Sequence, residues 1–217
     1  YMGRILDIFS GLDLSFDKER YESLKQAARM KYIEKDVPVL LSETLDGADR
    51  VKNIVASLKE FAHPPQEHLS PVDINAEIEK SLTLVWNELK YHCEVEKQLG
   101  DIPLVTANGG QLGQVFVNLL INASHATQGK QGKIVVKTYK TESDIRLEFA
   151  DNGVGIPEEN LLKIFDPFFT TKEVGKGTGL GLSLVYGIIQ NHKWTIDVES
   201  EVGKGTIFVV KIPLSGK

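Results

Sequence analysis

The spacing of apolar residues changes character at His63-Pro64-Pro65, and that change divides the chain into two architectures. Before it, Val37, Leu40, Thr44, Gly47, Val51, Ile54, Leu58 and Phe61 recur at alternating steps of three and four residues. This is the 3.5-residue period of a coiled coil or helical bundle, and a seam of that kind needs a partner helix. Asp36 and Pro38 read as its cap and first turn, and the prolines end it because proline disfavours helix in the residue before it. Upstream, residues 1–9 are apolar at helical spacing, Gly11-Leu12-Asp13 is a break, and residues 18–35 form a second helical stretch rich in charge. Residues 1–65 are therefore expected to form an antiparallel helical hairpin that dimerises, since a lone pair of helices leaves one side of the seam wet.

From Pro71 onward the pattern is mixed. Asp73 or Asn75 can cap a helix running to about Tyr91, residues 95–99 suit a short strand, and residues 110–127 suit a second helix. Ile134, Val136 and Thr138, then Ile145, Leu147 and Phe149, alternate as two strands; residues 195–199 and 206–212 make another pair around Gly203-Lys204-Gly205. The expected class for residues 66–217 is α+β: a two-layer α/β sandwich whose mixed, mainly antiparallel sheet carries helices on one face. A chain of 217 residues, 41% hydrophobic and 25% charged, can bury such a core without staples. Its net charge of -5 argues against a nucleic-acid surface, and no stretch approaches the roughly 18 consecutive apolar residues of a membrane span. Cys93 is the single cysteine, so no internal disulfide forms and the residue reads as a small buried hydrophobe. No signal peptide is visible, and the start at Tyr1 reads as that of a fragment.

The helix over residues 110–127 has two sides. Leu112, Val115, Phe116, Leu119, Ala123 and Ala126 form an apolar stripe, while Asn118, Asn122 and His125 fall in a sector about 60° wide at its edge. An asparagine carbonyl is a hard neutral oxygen, suited to a Mg²⁺ that keeps most of its waters and shares its other positions with phosphates. Asn122 is the candidate for that ligand. Further on, Asp151-Asn152-Gly153-Val154-Gly155 sets a carboxylate beside two glycines, and glycine occupies every second position from Gly175 to Gly181. Loops of this kind let backbone N–H groups approach a polyphosphate while the acid reads something else.

These segments together resemble the catalytic ATP-binding region of a bacterial sensor histidine kinase, within the wider Bergerat-fold class shared with gyrase, mismatch-repair ATPases and large heat-shock chaperones. Residues 118–123 match the family's N box, 151–155 its first glycine box, 165–172 its phenylalanine box, 177–181 its second glycine box, and 203–206 its terminal glycine-threonine box. The resemblance implies that Asp151 accepts a hydrogen bond from the adenine amine, that Gly153 and Gly155 admit the base closely, and that Thr206 joins the adenine network directly or through water. It makes Gly177, Thr178, Gly179, Leu180 and Gly181 the phosphate-side loop, with a helix starting near Leu180 that presents its N-terminus to anionic oxygens. Lys172 and Lys176 stand as phosphate contacts or as solvated lysines, and His125 as a charged phosphate contact or an uncharged edge ring. Phe165, Phe168 and Phe169 are expected to be packing residues.

Asn118 holds the catalytic position where hydrolytic relatives carry a water-activating glutamate; an amide takes no proton, so efficient hydrolysis is not expected. The resemblance thus implies a kinase that binds Mg-ATP and transfers the γ-phosphate to a histidine on the dimerisation helix, for relay to the receiver domain of a response regulator. No nucleic acid or membrane contact is expected of this segment, which would lie in the cytoplasm. Two alternatives remain open: a nucleotide-sensing dimeric module without kinase activity, and an ATPase of the same class. None of the five histidines is followed by an acid in the first hairpin helix, so the acceptor is expected upstream of Tyr1. Trp194 stands where relatives commonly have a small residue, which suggests a surface contact or an introduced change.

Overall fold

The computed structural model describes residue 23 and residues 35–45, 47–48, 51, 69–129, 131–172 and 177–214. The chain divides into two compact units, Tyr1–Lys52 and Asn53–Lys217. In the first, residues 35–45, 47–48 and 51 are helical, so Asp36 sits inside a helix and does not cap it. The apolar positions Val37, Leu40 and Val51 of the seam are exposed. The rest of the expected hairpin, including its end at His63-Pro64-Pro65 and the boundary near residue 65, lies outside the described residues, as does Lys176.

The second unit holds strands β1 (Ser70–Val72), β2 (Cys93–Leu99), β3 (Val105–Ala107), β4 (Gly132–Lys140), β5 (Asp144–Asp151), β6 (Thr195–Glu201) and β7 (Gly205–Pro213). Its helices are α1 (Ile74–Leu89), α2 (Gly109–Ala126), α3 (Glu158–Leu161) and α4 (Gly181–Asn191). Five strands form one sheet in the order β2-β4-β5-β7-β6. β2 runs parallel to β4, and every other pairing is antiparallel, so the sheet is mixed and mainly antiparallel. β1 and β3 form a separate two-stranded ribbon that the sequence pattern does not announce: each is three residues long, and Pro71 reads as a breaker.

Alternation decides which side of the sheet is dry. Ile134 and Val136 of β4, Ile145, Leu147 and Phe149 of β5, and Phe208, Val210 and Ile212 of β7 are buried against the apolar stripes of α1, α2 and α4. At the centre the Phe116 ring of α2 stacks on Phe149 with centroids 5.6 Å apart. The intervening residues carry charge on the opposite face, where Lys133 pairs with Glu96 at 2.7 Å. The two longest helices of this unit have a side-chain cap: Asp73 accepts the Ala76 N–H at 3.1 Å to begin α1, and Asn108 accepts the Gln111 N–H at 3.2 Å to begin α2. Trp194 is not a surface residue. It is 5% exposed and lies in the core, its ring 4.9 Å from that of His192.

Candidate nucleotide site

α2 carries the polar residues of the candidate site and touches both glycine motifs. At its C-terminal end the Ala126 carbonyl accepts the Val154 N–H at 3.0 Å. A Cβ on Gly153 would stand 2.6 Å from that same carbonyl oxygen, so the loop after β5 lies flush on the helix end. Midway along α2, Asn118 Nδ2 donates to the Gln114 carbonyl at 2.9 Å, which turns Oδ1 outward. Oδ1 faces Gly181, the first residue of α4, where a Cβ would sit only 2.9 Å away. One helix turn on, the half-buried Asn122 amide makes no hydrogen bond among the described residues.

Asp151 ends β5 with its Oδ1 accepting the Gly153 N–H at 2.8 Å. Burial pushes its carboxyl above the ordinary aspartate value, and the backbone N–H groups of Gly153 and Thr206 partly offset this. A half-buried carboxylate held by backbone donors alone, with no cationic side chain shifting it, is poised to accept one more hydrogen bond. Beside it in register lies Thr206, 3% exposed. Ser200 Oγ donates its single proton to the Gly205 carbonyl, and it also receives the Ile156 N–H at 2.8 Å. The 2.9 Å contact between the Ser200 and Thr206 hydroxyls is then donated by Thr206, which leaves the lone pairs of Thr206 Oγ1 available. The loop itself turns at Gly155, whose φ of +71° and closeness to the Glu201 carbonyl exclude a side chain.

The second glycine segment closes on the phenylalanine segment. Phe168 donates its N–H to the Gly179 carbonyl at 2.9 Å, and both residues have positive φ, +68° and +66°. Phe168 is 57% exposed, so of the three phenylalanines only Phe165 and Phe169 pack on the core. Gly177 lies against Thr170, and the Thr178 hydroxyl accepts the Leu180 N–H at 3.4 Å. Leu180 is buried and stands at the N-cap of α4 without any side-chain cap, so the first N–H groups of that helix have no side-chain acceptor there. Lys172 reaches back to α2, its Nζ 2.7 Å from His125 Nδ1. Partial burial of the ring and the adjacent Lys172 ammonium lower the His125 pKa, and burial lowers that of Lys172.

The described site residues thus assemble along one side of α2, with the carboxylate at its far end and the uncapped helix start midway. Residues 107–216 match the family described as "Histidine kinase-, DNA gyrase B-, and HSP90-like ATPase". The chain belongs to this family. ATP is therefore the ligand class of the matched domain. The chain is 32% identical to the nucleotide-free catalytic domain of the histidine kinase ThkA, covering 97% of that domain and 67% of this chain with a TM-score of 0.60. It is 36% identical to the sensor histidine kinase ZraS of Escherichia coli K12 over 171 residues, which is 77% of this chain. It is 40% identical to the sensor kinase CckA of Brucella abortus in an alignment 185 residues long that covers 76% of this chain. The chain spans 36% of the length of ZraS and 19% of that of CckA.

Two features of this region escape sequence reasoning. The phenylalanine-box resemblance groups Phe168 with Phe165 and Phe169 as packing residues, whereas Phe168 is exposed at positive φ. His192, a lone histidine after α4, carries no pattern, yet its Nε2 accepts the Asn108 N–H at 3.1 Å and ties α4 to the start of α2. Among the described residues no helix is long and apolar enough to cross a membrane.

Proposed function

We propose that residues 66–217 bind Mg-ATP between the amide edge of α2 and the glycine segment before α4, and act as the kinase domain of a two-component histidine kinase. The observation that carries this reading is the double contact of α2: one helix braces the loop after Asp151 through Ala126 and the start of α4 through Asn118. Asp151 would accept the exocyclic amine of adenine, with Thr206 completing the base network through its available lone pairs. The uncapped start of α4, Gly177, Thr178, Gly179 and Gly181 would face the phosphates, with Lys172 and Lys176 as their cationic contacts and His125 beside Lys172 as a neutral edge ring. Among the described residues no cluster of three or more His, Cys, Asp or Glu could hold an ion, which suits a magnesium carried by the phosphates and one neutral amide, Asn122. When bound there, the ion would neutralise phosphate charge.

Asn118 supports transfer over hydrolysis. Its Nδ2 is committed to Gln114 and its oxygen belongs to an amide, so the residue offers no base to an attacking water. The γ-phosphate would pass to a histidine on the dimerisation helix, outside residues 1–217, and from there to a response-regulator aspartate; the named sensor kinases among the relatives support this route. Residues 1–65 would supply a dimerising hairpin, and the segment would work in the cytoplasm. The test combines calorimetric titration with Mg-ATP and transfer of labelled γ-phosphate to a separately supplied acceptor hairpin. Binding with transfer and little phosphate release is expected. Binding without transfer would reduce the protein to a nucleotide-sensing module, and rapid phosphate release would make it an ATPase.

A further inference from the structure

We infer that His192, at the opposite end of α4 from the phosphate-side glycines, is a positioning residue that sets the axial register of α4 against α2 and thereby the fit of the triphosphate end of the site. The inference rests on the ATP-binding reading and assigns a residue that acts on it from a distance. His192 follows the last turn of α4, and both ring nitrogens are committed to backbone: Nδ1 donates to the Ile188 carbonyl at 2.8 Å, and Nε2 accepts the Asn108 N–H at 3.1 Å. That pattern requires the neutral Nδ1–H tautomer. The ring is held from the side by the buried Trp194. Asn108 is the N-cap of α2, so the N–H gripped by His192 belongs to the residue that fixes where α2 begins.

At the other end of α4, Gly181 meets Asn118 of α2. The two helices are therefore antiparallel and joined at two points. Ten residues separate Asn108 from Asn118 and eleven separate Gly181 from His192, rises of about 15 and 16.5 Å at the α-helical 1.5 Å per residue. The spans match to within one residue, so fixing the His192 end brings the first turn of α4 against the Asn118 amide. The packing between the two points is aliphatic, through Val185, Ile188 and Ile189. Apolar contacts tolerate small slides; a hydrogen bond to one backbone N–H does not. Asp151 and Thr206 lie on β5 and β7 and do not depend on this register.

The test uses the 217-residue chain with His192→Phe, which keeps an aromatic ring beside Trp194 but removes the acceptor, and with His192→Gln, which restores an acceptor oxygen. Calorimetry would compare a non-hydrolysable ATP analogue with Mg²⁺ against adenosine. For His192→Phe the triphosphate affinity is expected to fall by roughly three- to thirtyfold, as for other residues that modulate a site without touching the ligand, while adenosine affinity holds. His192→Gln should recover most of the loss. A merely structural role would lower both affinities together or neither, and an unchanged ratio in His192→Phe overturns the inference. Equal losses in the Phe and Gln variants also overturn it. If the unaltered chain bound neither ligand, the ATP-binding reading itself would fall, a result distinct from binding with an unchanged ratio.

Discussion

Lys172 Nζ lies 2.7 Å from His125 Nδ1, a contact in which the neutral ring accepts a hydrogen bond from the ammonium. Two positive charges so close repel, and partial burial of the ring adds to the effect, so the His125 pKa falls below the usual histidine value. Because the folded value is the lower one, His125 favours folding above its unfolded pKa, and this contribution is lost as pH falls through the folded pKa. Acidification from pH 7 to 5 should therefore destabilise the unaltered chain more than His125→Asn, as read by urea denaturation at both pH values. Lys172→Met should raise the His125 pKa, measured by NMR titration.

Asp151 illustrates an acid retained against its own burial. Since its carboxyl is pushed above the ordinary range, its charge is a liability to the folded state at neutral pH, relieved only on protonation. Asp151→Asn keeps an oxygen for the Gly153 N–H and removes the charge. Thermal denaturation should place this variant within about 0.5 kcal/mol of the unaltered chain or above it. Its affinity for adenine nucleotides should fall roughly ten- to a hundredfold, the scale of a lost hydrogen bond to a charged group.

Two glycines with positive φ separate backbone strain from steric clash. Gly203, at +83°, has nothing within 4 Å of the methyl that alanine would add, so Gly203→Ala should cost only the left-handed penalty of about 1–2 kcal/mol. Gly155, at +71°, would drive its methyl into the Glu201 carbonyl. Gly155→Ala should be distinctly less stable than Gly203→Ala in denaturant titrations and should also weaken nucleotide binding.

Asn122 has the clearest ligand-dependent prediction. Its amide makes no hydrogen bond among the described residues, so Asn122→Ala should leave the melting temperature nearly unchanged. Titration with Mg-ATP should show affinity lower by roughly ten- to a hundredfold, and the difference should shrink when magnesium is chelated. Equal losses with and without the metal would remove Asn122 from the ion.

Much of this was legible in the sequence because it is written in local periods and short motifs. The two-residue alternation of Ile134, Val136 and Thr138 and of Ile145, Leu147 and Phe149 corresponds to β4 and β5, and the apolar stripe beginning at Leu112 corresponds to the buried face of α2. What was not legible depends on partners distant in the chain. β2 shows little alternation, and its parallel pairing with β4 is fixed by the α2 crossover; the β1–β3 ribbon is too short to show a period. Trp194 looks like a surface intrusion until the His192 ring is found beside it. Asp36 has the chemistry of a cap, but the helix is already formed at residue 35.

The parallel pairing of β2 with β4 has a consequence for how the protein comes to recognise anything. A parallel pair cannot close through a tight turn, and the segment that crosses between these strands contains α2 itself. Closure of the parallel pair and the placement of the asparagine-bearing helix thus depend on one connecting segment. Chains emerging from the ribosome, or caught partway to the native state, would be blind to ATP until that closure is complete, and nucleotide would then hold the newly closed topology shut.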